Sequence, residues 1–172
     1  MGALYRLRQF ALALGAGLSR QNTDGLKEHL PPAQLELFHR MSSMDQHHCL
    51  SVFRALRETG AAETSLLEAA LLHDVGKTVG SVIVWHRVLA VLTKALAPQL
   101  WERIEGEPGT WAYPLYVHRE HHALGAEMAR EAGCSPEVVW LIAHHEHQLR
   151  GIEAPTKQLK LLEALQAADR VN

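Results

Sequence analysis

Apolar residues recur along most of the chain at the three- and four-residue spacing that one face of an α-helix requires. Segments that alternate apolar and polar residues, which would predict half-buried strands, are lacking. Helices are predicted at about residues 1–18, 33–41, 43–59, 64–74, 81–96 and 115–133, and two more begin near Pro136 and Thr156. The pattern therefore predicts an all-α fold, built as a single compact helical domain.

Residues that favour helix ends support these boundaries. N-caps are predicted at Ser42 or Ser43, at Thr64 or Ser65, and at Ser135, and helix stops at Gly60, Gly76 and Pro98. Glycine and proline are frequent between residues 105 and 113, which indicates a loop. The helix that follows this loop begins at Leu115 or Arg119.

The first segment of the chain has an apolar stripe with arginines beside it. Its stripe is formed by Leu4, Leu7, Ala11, Leu14 and Leu18. Arg6 and Arg8 precede the apolar run, as in a signal peptide, but no clear cleavage site follows. The spacing favours an amphipathic helix that packs on a core, and the same helix could form a homodimer surface. No apolar run approaches the roughly 20 residues that span a bilayer, so no membrane partner is expected.

Composition narrows the class of protein. A chain of 172 residues is long enough for one domain with a real core. The net charge of −2 gives no electrostatic case for binding a nucleic-acid polymer. The two cysteines, Cys49 and Cys134, do not form a C-x-x-C pair, so we interpret them as reduced thiols of a cytoplasmic protein.

Histidine is the anomaly in this composition, because the chain contains 12 of them. Several histidines and aspartates occupy helix positions where the pattern requires an apolar residue: His48, His73, Asp74, His144, His145 and Asp169. A single inward histidine is usually a core residue with a carbonyl partner. Several unpaired polar groups in one small core would cost several kcal/mol each, on the order of the whole stability of a domain. A shared metal site removes that cost.

These positions resemble the motifs of the HD-domain superfamily of metal-dependent phosphohydrolases. The segment of this chain that resembles the family's central motif is Ala69-Ala70-Leu71-Leu72-His73-Asp74-Val75-Gly76-Lys77. Four further segments resemble the family's other motifs: His48-x-x-x-Val52, His121-x-x-x-Gly125-Ala126-Glu127, Ile142-Ala143-His144-His145-Glu146 and Ala167-Ala168-Asp169. The double histidine resembles the HD-GYP branch. That branch has a glutamate where this chain has Met44. The Gly-Tyr-Pro loop of that branch is matched only in part, by Gly151 and Pro155. The resemblance implies an HD-type domain over residues 45–172, with residues 1–44 as an added helical extension.

The resemblance also implies a two-metal site. Its first ion would be held by His48, His73, Asp74 and Asp169, and its second by Asp74, His121, His144 and His145. His118 or His122 could replace His121, because all three lie on the same helix. Histidine and carboxylate ligands suit two divalent ions of Mn, Fe, Co, Ni or Zn, and the ligand types do not choose among these metals.

The function implied is a phosphomonoesterase or phosphodiesterase that acts on a phosphorylated small molecule of nucleotide type. Asp74 and Lys77 would be catalytic, and Lys77, Arg87 and Arg119 would contact the substrate. Two alternatives remain open on the same fold: a di-iron oxygenase and a regulatory nucleotide-binding module without turnover.

Overall fold

The computed structural model describes residues 24–80 and 82–172, and within these ranges the chain is all-α. Its helices are α1 (Pro32–Arg40), α2 (Ser43–Glu58), α3 (Thr64–Leu72), α4 (Val84–Leu96), α5 (Pro98–Trp101), α6 (Tyr113–Glu131), α7 (Pro136–His144) and α8 (Thr156–Val171). Two 3₁₀ segments, Asp24–Glu28 and Val75–Gly80, precede α1 and follow α3. The predicted fold class is confirmed.

Two of the predicted helix caps form as expected, and one does not. The hydroxyl oxygens of Ser42 and Ser135 accept hydrogen bonds from the backbone N–H groups of Asp45 and Val138, at 3.2 and 3.3 Å. The start of α3 has no side-chain cap. Its Ser65 hydroxyl instead donates to the Glu137 carboxylate on α7, so this serine links two helices rather than capping one.

Helix α3 lies at the centre of the fold, which explains why its sequence is apolar on every side. Six of its nine residues are buried: Leu66, Leu67, Ala69, Ala70, Leu71 and Leu72. Helices α1, α2, α7 and α8 pack around it. The turn that leaves α3 is therefore held inside the protein, and this position makes the two residues after Leu72 buried.

Gly76 has a different role from the predicted helix stop. The α-helix already ends at Leu72, and Gly76 lies within the 3₁₀ segment that packs on α6. A Cβ atom at Gly76 would lie 2.0 Å from the carbonyl oxygen of His121 and 2.6 Å from the amide nitrogen of Gly125. Glycine is required here because the two backbones touch.

The region after the 3₁₀ segment departs from the prediction in detail. Helix α4 begins at Val84 rather than at residue 81, and the short helix Pro98–Trp101 was not predicted. The predicted loop at 105–113 does separate α5 from α6, which begins at Tyr113. A small second cluster of Ala90, Trp101 and Leu115 joins these three helices.

The predicted helix at residues 1–18 lies outside the described residues, and the boundary of the predicted extension at residue 44 stays a prediction. Within the described part of the chain, no single helix has the length and apolar character needed to cross a membrane. The segments Thr64–Gly80 and Trp85–Leu96 reach that length and composition only as a pair, across a bend of 101°.

We expect Gly76→Ala to destabilise the protein by about 3 kcal/mol, because the new methyl group would force the 3₁₀ segment away from α6. Urea denaturation followed by circular dichroism measures this change. Gly25→Ala is the matched control, since a Cβ atom there meets no atom within 4 Å, and its effect should stay within about 0.5 kcal/mol. Equal stabilities of the two variants would contradict the close contact.

Candidate metal centre

Five elements bring histidine and aspartate side chains to one place beside the end of α3. His73 and Asp74 follow this helix directly, and both are buried. The other side chains come from the first half of α2, the middle of α6, the end of α7 and the end of α8: His48, His121, His145 and Asp169. The structure thus brings together six of the seven predicted metal ligands, although they are up to 121 residues apart in the chain.

The first group joins α2, the end of α3 and α8. The Nε2 atom of His48 lies 2.8 Å from Oδ1 of Asp169 and 3.2 Å from Nε2 of His73. Asp169 Oδ1 is also 3.6 Å from the His73 nitrogen, and Asp74 Oδ2 is 4.0 Å from the His48 nitrogen. His48, His73 and Asp74 each offer one ligand atom, and these atoms lie within 4.8 Å of one another.

The second group shares Asp74 with the first. The Nε2 atom of His121 lies 3.4 Å from Oδ1 of Asp74 and 3.2 Å from Nε2 of His145. All three residues are buried, and their ligand atoms again lie within 4.8 Å of one another. Asp74 therefore stands between two sets of histidine nitrogens: its Oδ1 lies 3.4 Å from His121 and 3.8 Å from His73, and its Oδ2 lies 4.0 Å from His48.

Backbone carbonyls fix the ring orientation in both groups. The Nδ1 atoms of His73, His121 and His145 lie 3.0, 2.7 and 2.7 Å from the carbonyl oxygens of Ala70, His118 and Ile142. A carbonyl oxygen only accepts, so the proton of each neutral ring is on Nδ1 and Nε2 carries a lone pair.

With the protons on Nδ1, the Nε2 atoms that face one another are acceptors without a hydrogen-bond donor. Two unprotonated nitrogens 3.2 Å apart, as in His121 and His145, cannot hydrogen-bond to each other, and a carboxylate beside them adds another acceptor. A divalent cation satisfies all of these acceptors at once, and carbonyl-bound histidines are the usual arrangement around one. The residues present therefore fit a metal.

Lys77 completes the charge pattern around the shared aspartate. Its Nζ atom lies 2.6 Å from Oδ2 of Asp74. Burial disfavours the charged carboxylate, but Lys77 holds the pKa of Asp74 well below its usual range. Burial lowers the pKa of Lys77, yet Asp74 and Asp45 keep it above the ordinary value. Asp74 is thus an ionised candidate ligand with a cation beside its Oδ2 atom.

His144, the seventh predicted ligand, lies outside both groups. Its Nδ1 atom is 2.8 Å from the Trp140 carbonyl oxygen, and its ring stacks on the Trp140 indole with 4.4 Å between centroids. Its neighbour His145 is buried, whereas His144 is only partly buried. The one-residue step rotates the side chain by about 100° around α7, away from Asp74. The structure does not bring His144 to the centre, and its role as a ligand stays a prediction.

On α6, the structure brings His121 to Asp74 in preference to the two neighbouring histidines. The buried Nδ1 atom of His118 has no hydrogen-bond partner among the described residues, and the His122 ring lies against His147, 4.8 Å away. Neither belongs to a group of potential metal ligands.

The two predicted substrate-binding arginines have different surroundings. Arg119 donates to the carboxylate of Glu120 and to the Glu102 carbonyl, and its guanidinium lies 5.7 Å from the centre of the Tyr116 ring. The structure gives it no contact with the metal centre. Arg87 donates to a carboxylate beside the centre, that of Asp45, at 2.7 and 2.8 Å.

Asp45 was missed in the sequence. It is a charged residue with only 3% of its surface exposed, in the first turn of α2 and three residues before His48. An aspartate three residues after a serine N-cap is usually a solvated first-turn acid, so the pattern gave no sign of burial.

Comparison with known proteins gives one match. The sequence model of the HD domain family matches residues 46–172, which is about three quarters of the chain and includes all six assembled residues. Neither the curated proteins nor the solved structures provide a match.

We expect Asp74→Asn to weaken divalent-metal binding by more than about 100-fold, because both groups lose their shared anionic ligand. Calorimetric titration of the chelator-treated protein with Mn²⁺ measures this loss, and circular dichroism checks that the helices remain.

The control for this prediction is His47→Ala. His47 precedes His48 but belongs to neither group of potential ligands, so its removal should leave the affinity unchanged. If the Asp74 variant bound Mn²⁺ as tightly as the original protein, Asp74 would not be the shared ligand.

Proposed function

The chain belongs to the HD domain family, and from this premise we propose that it is a metal-dependent phosphohydrolase with a dinuclear centre. The proposed reaction is hydrolysis of a phosphomonoester or phosphodiester in a phosphorylated small molecule of nucleotide type. HD domains are in general metal-dependent hydrolases, which agrees with the cluster of histidines and aspartates.

The observation that carries the proposal is the position of Asp74 between two groups of inward-facing imidazole nitrogens. Each group offers two histidine nitrogens and one carboxylate oxygen, and Asp169 adds a further oxygen beside the first group. A core that needed only packing would not keep His73, His121 and His145 with their acceptor nitrogens turned towards an ionised aspartate.

The side chains have separable tasks in the proposed reaction. A divalent ion, when bound, supplies Lewis-acid polarisation of a phosphoryl oxygen and acidifies a water molecule. Asp74 holds negative charge between the two groups and is positioned to accept a proton. Lys77 donates an N–H to Asp74 and has two further N–H groups, which can stabilise charge that develops on a phosphoryl oxygen.

Exposure indicates the side from which a substrate arrives. The side chains of His48 and Asp169 are 25% and 27% exposed, whereas those of His121 and Asp74 are 2% and 3% exposed. Solvent therefore reaches the first group, and the second lies deeper. A phosphoryl group on a small molecule can approach along this path, and the net charge of −2 provides no surface for a polyanion.

The test is hydrolysis by the full chain after chelation and reloading with Mn²⁺, Co²⁺, Ni²⁺, Zn²⁺ or Fe²⁺. We expect turnover of p-nitrophenyl phosphate or bis(p-nitrophenyl) phosphate, followed by nucleotide phosphoesters in a screen. Lys77→Gln should lower kcat about 100-fold, because a donor to the phosphoryl oxygen is lost. Lys77→Arg should retain part of the rate.

Lys157→Gln is the matched control, since Lys157 also pairs with a carboxylate, that of Glu63, but on the exposed surface. Its kcat should not change. If none of the reloaded forms hydrolysed any phosphoester, the proposed phosphohydrolase function would be wrong. Oxygen consumption by the iron-loaded protein would then favour the oxygenase.

A further inference from the structure

A second pair of buried charges lies next to the metal centre. The Nη2 atom of Arg87 on α4 donates to both carboxylate oxygens of Asp45 on α2, at 2.8 and 2.7 Å. The side chains are only 15% and 4% exposed. The hydroxyl of Ser42 donates to the same carboxylate, so Asp45 is held from two sides.

Stability alone is a weak reason for such a pair. Removing two charges from water costs about as much as their attraction returns, so an apolar pair would serve the packing equally well. The pair joins α2 to α4, a helix whose outer face is largely exposed, with Trp85 76% exposed and Leu96 81% exposed. A directional contact is therefore formed where tight apolar packing is missing.

The geometry leaves most of the guanidinium available. Both bonds to Asp45 come from Nη2, and the N–H groups at Nε and Nη1 of Arg87 have no hydrogen bond within the described part of the chain. A guanidinium has five N–H donors, and an arginine with one edge fixed by a carboxylate presents its other edge in a defined direction.

The helical register places this ion pair near the candidate ligands, because Asp45 lies about one helical turn before His48 on α2. Although burial opposes it, Asp45 holds the pKa of Arg87 above its ordinary value. Each of the two buried cations has its own carboxylate: Lys77 pairs with Asp74, and Arg87 pairs with Asp45.

A histidine on α6 faces the same region with an unsatisfied atom. The His118 ring lies edge-on to that of His121, with 5.8 Å between the ring centroids. Its buried Nδ1 atom has no partner among the described residues. An orphaned buried polar atom beside a candidate ligand indicates that a polar ligand or a water molecule belongs there.

We propose that Asp45 is a positioning residue, which holds Arg87 so that its Nε and Nη1 donate to a phosphoryl oxygen of a substrate bound at the metal centre. The inference rests on the proposed function and goes beyond it. It assigns one substrate contact to Arg87 of α4, and it assigns the orientation of that arginine to Asp45 of α2. Arg87 touches the substrate, and Asp45 acts only through Arg87.

The experiment compares Asp45→Asn, Asp45→Glu, Arg87→Gln and the double variant Asp45→Asn/Arg87→Gln in the full, metal-loaded chain. We expect Arg87→Gln to raise KM for the phosphoester about tenfold and Asp45→Asn to raise it about fivefold. The double variant should resemble Arg87→Gln within about twofold, because Asp45 has nothing left to position. Asp45→Glu should recover most of the lost affinity.

Two further measurements separate positioning from folding. Metal content per chain and the melting temperature should stay near the original values in Asp45→Asn. Glu127→Gln and Arg130→Gln are the matched controls, because this pair joins the same charge types on the exposed face of α6. Their KM should be unchanged. Additive increases in KM, or an Asp45→Asn variant with unchanged KM, would overturn the inference.

Inorganic phosphate is the second probe, since its binding does not require turnover. Its dissociation constant with the metal-loaded protein should rise about tenfold in Arg87→Gln and about fivefold in Asp45→Asn. If the original protein bound phosphate in this way but hydrolysed no phosphoester, the proposed function would fail while the subsite stood. If the protein hydrolysed a phosphoester and its affinity for phosphate were the same in both variants, the subsite would be wrong and the proposed function would stand.

Discussion

The candidate metal centre depends on one backbone contact, that between the 3₁₀ segment after α3 and the middle of α6. Gly76 lies against the carbonyl of His121 and the amide of Gly125, a distance that only glycine permits. This contact fixes where Asp74 points, two residues earlier. It also fixes the backbone of His121, whose carbonyl it touches. Without it, the two ligand groups would have no shared carboxylate.

Histidine nitrogens in this protein are oriented by carbonyls of their own helices. His73, His121 and His145 each lie one turn beyond the carbonyl that faces Nδ1, at a spacing of three residues. A helix end or a helical turn thus sets both the tautomer and the ring direction. The centre is preorganised by local backbone geometry, and the tertiary packing needs only to bring the turns together.

Charges near the centre alternate in sign from Asp74 to Lys77 and from Asp45 to Arg87. Each buried cation has a carboxylate partner, which offsets the effect of burial on its pKa. Asp74 and Lys77 lie within one turn, whereas Asp45 and Arg87 join α2 to the exposed helix α4. The Asp45–Arg87 ion pair therefore connects two helices on the side from which a substrate is expected.

The sequence by itself determined the all-α class, most of the helices in the described part of the chain and the six candidate ligands that assemble beside α3. Helical periodicity and the caps at Ser42 and Ser135 depend on local interactions, and the His73-Asp74 motif is contiguous. Tertiary structure decided the details that depend on direction: His121 rather than His118 at Asp74, and His144 stacked on Trp140. Neighbouring positions on a helix differ by about 100°, so the packing angle decides which of two adjacent histidines points inward. The pairing of Asp45 with Arg87, 42 residues away, likewise required the tertiary packing that brings these side chains of α2 and α4 together.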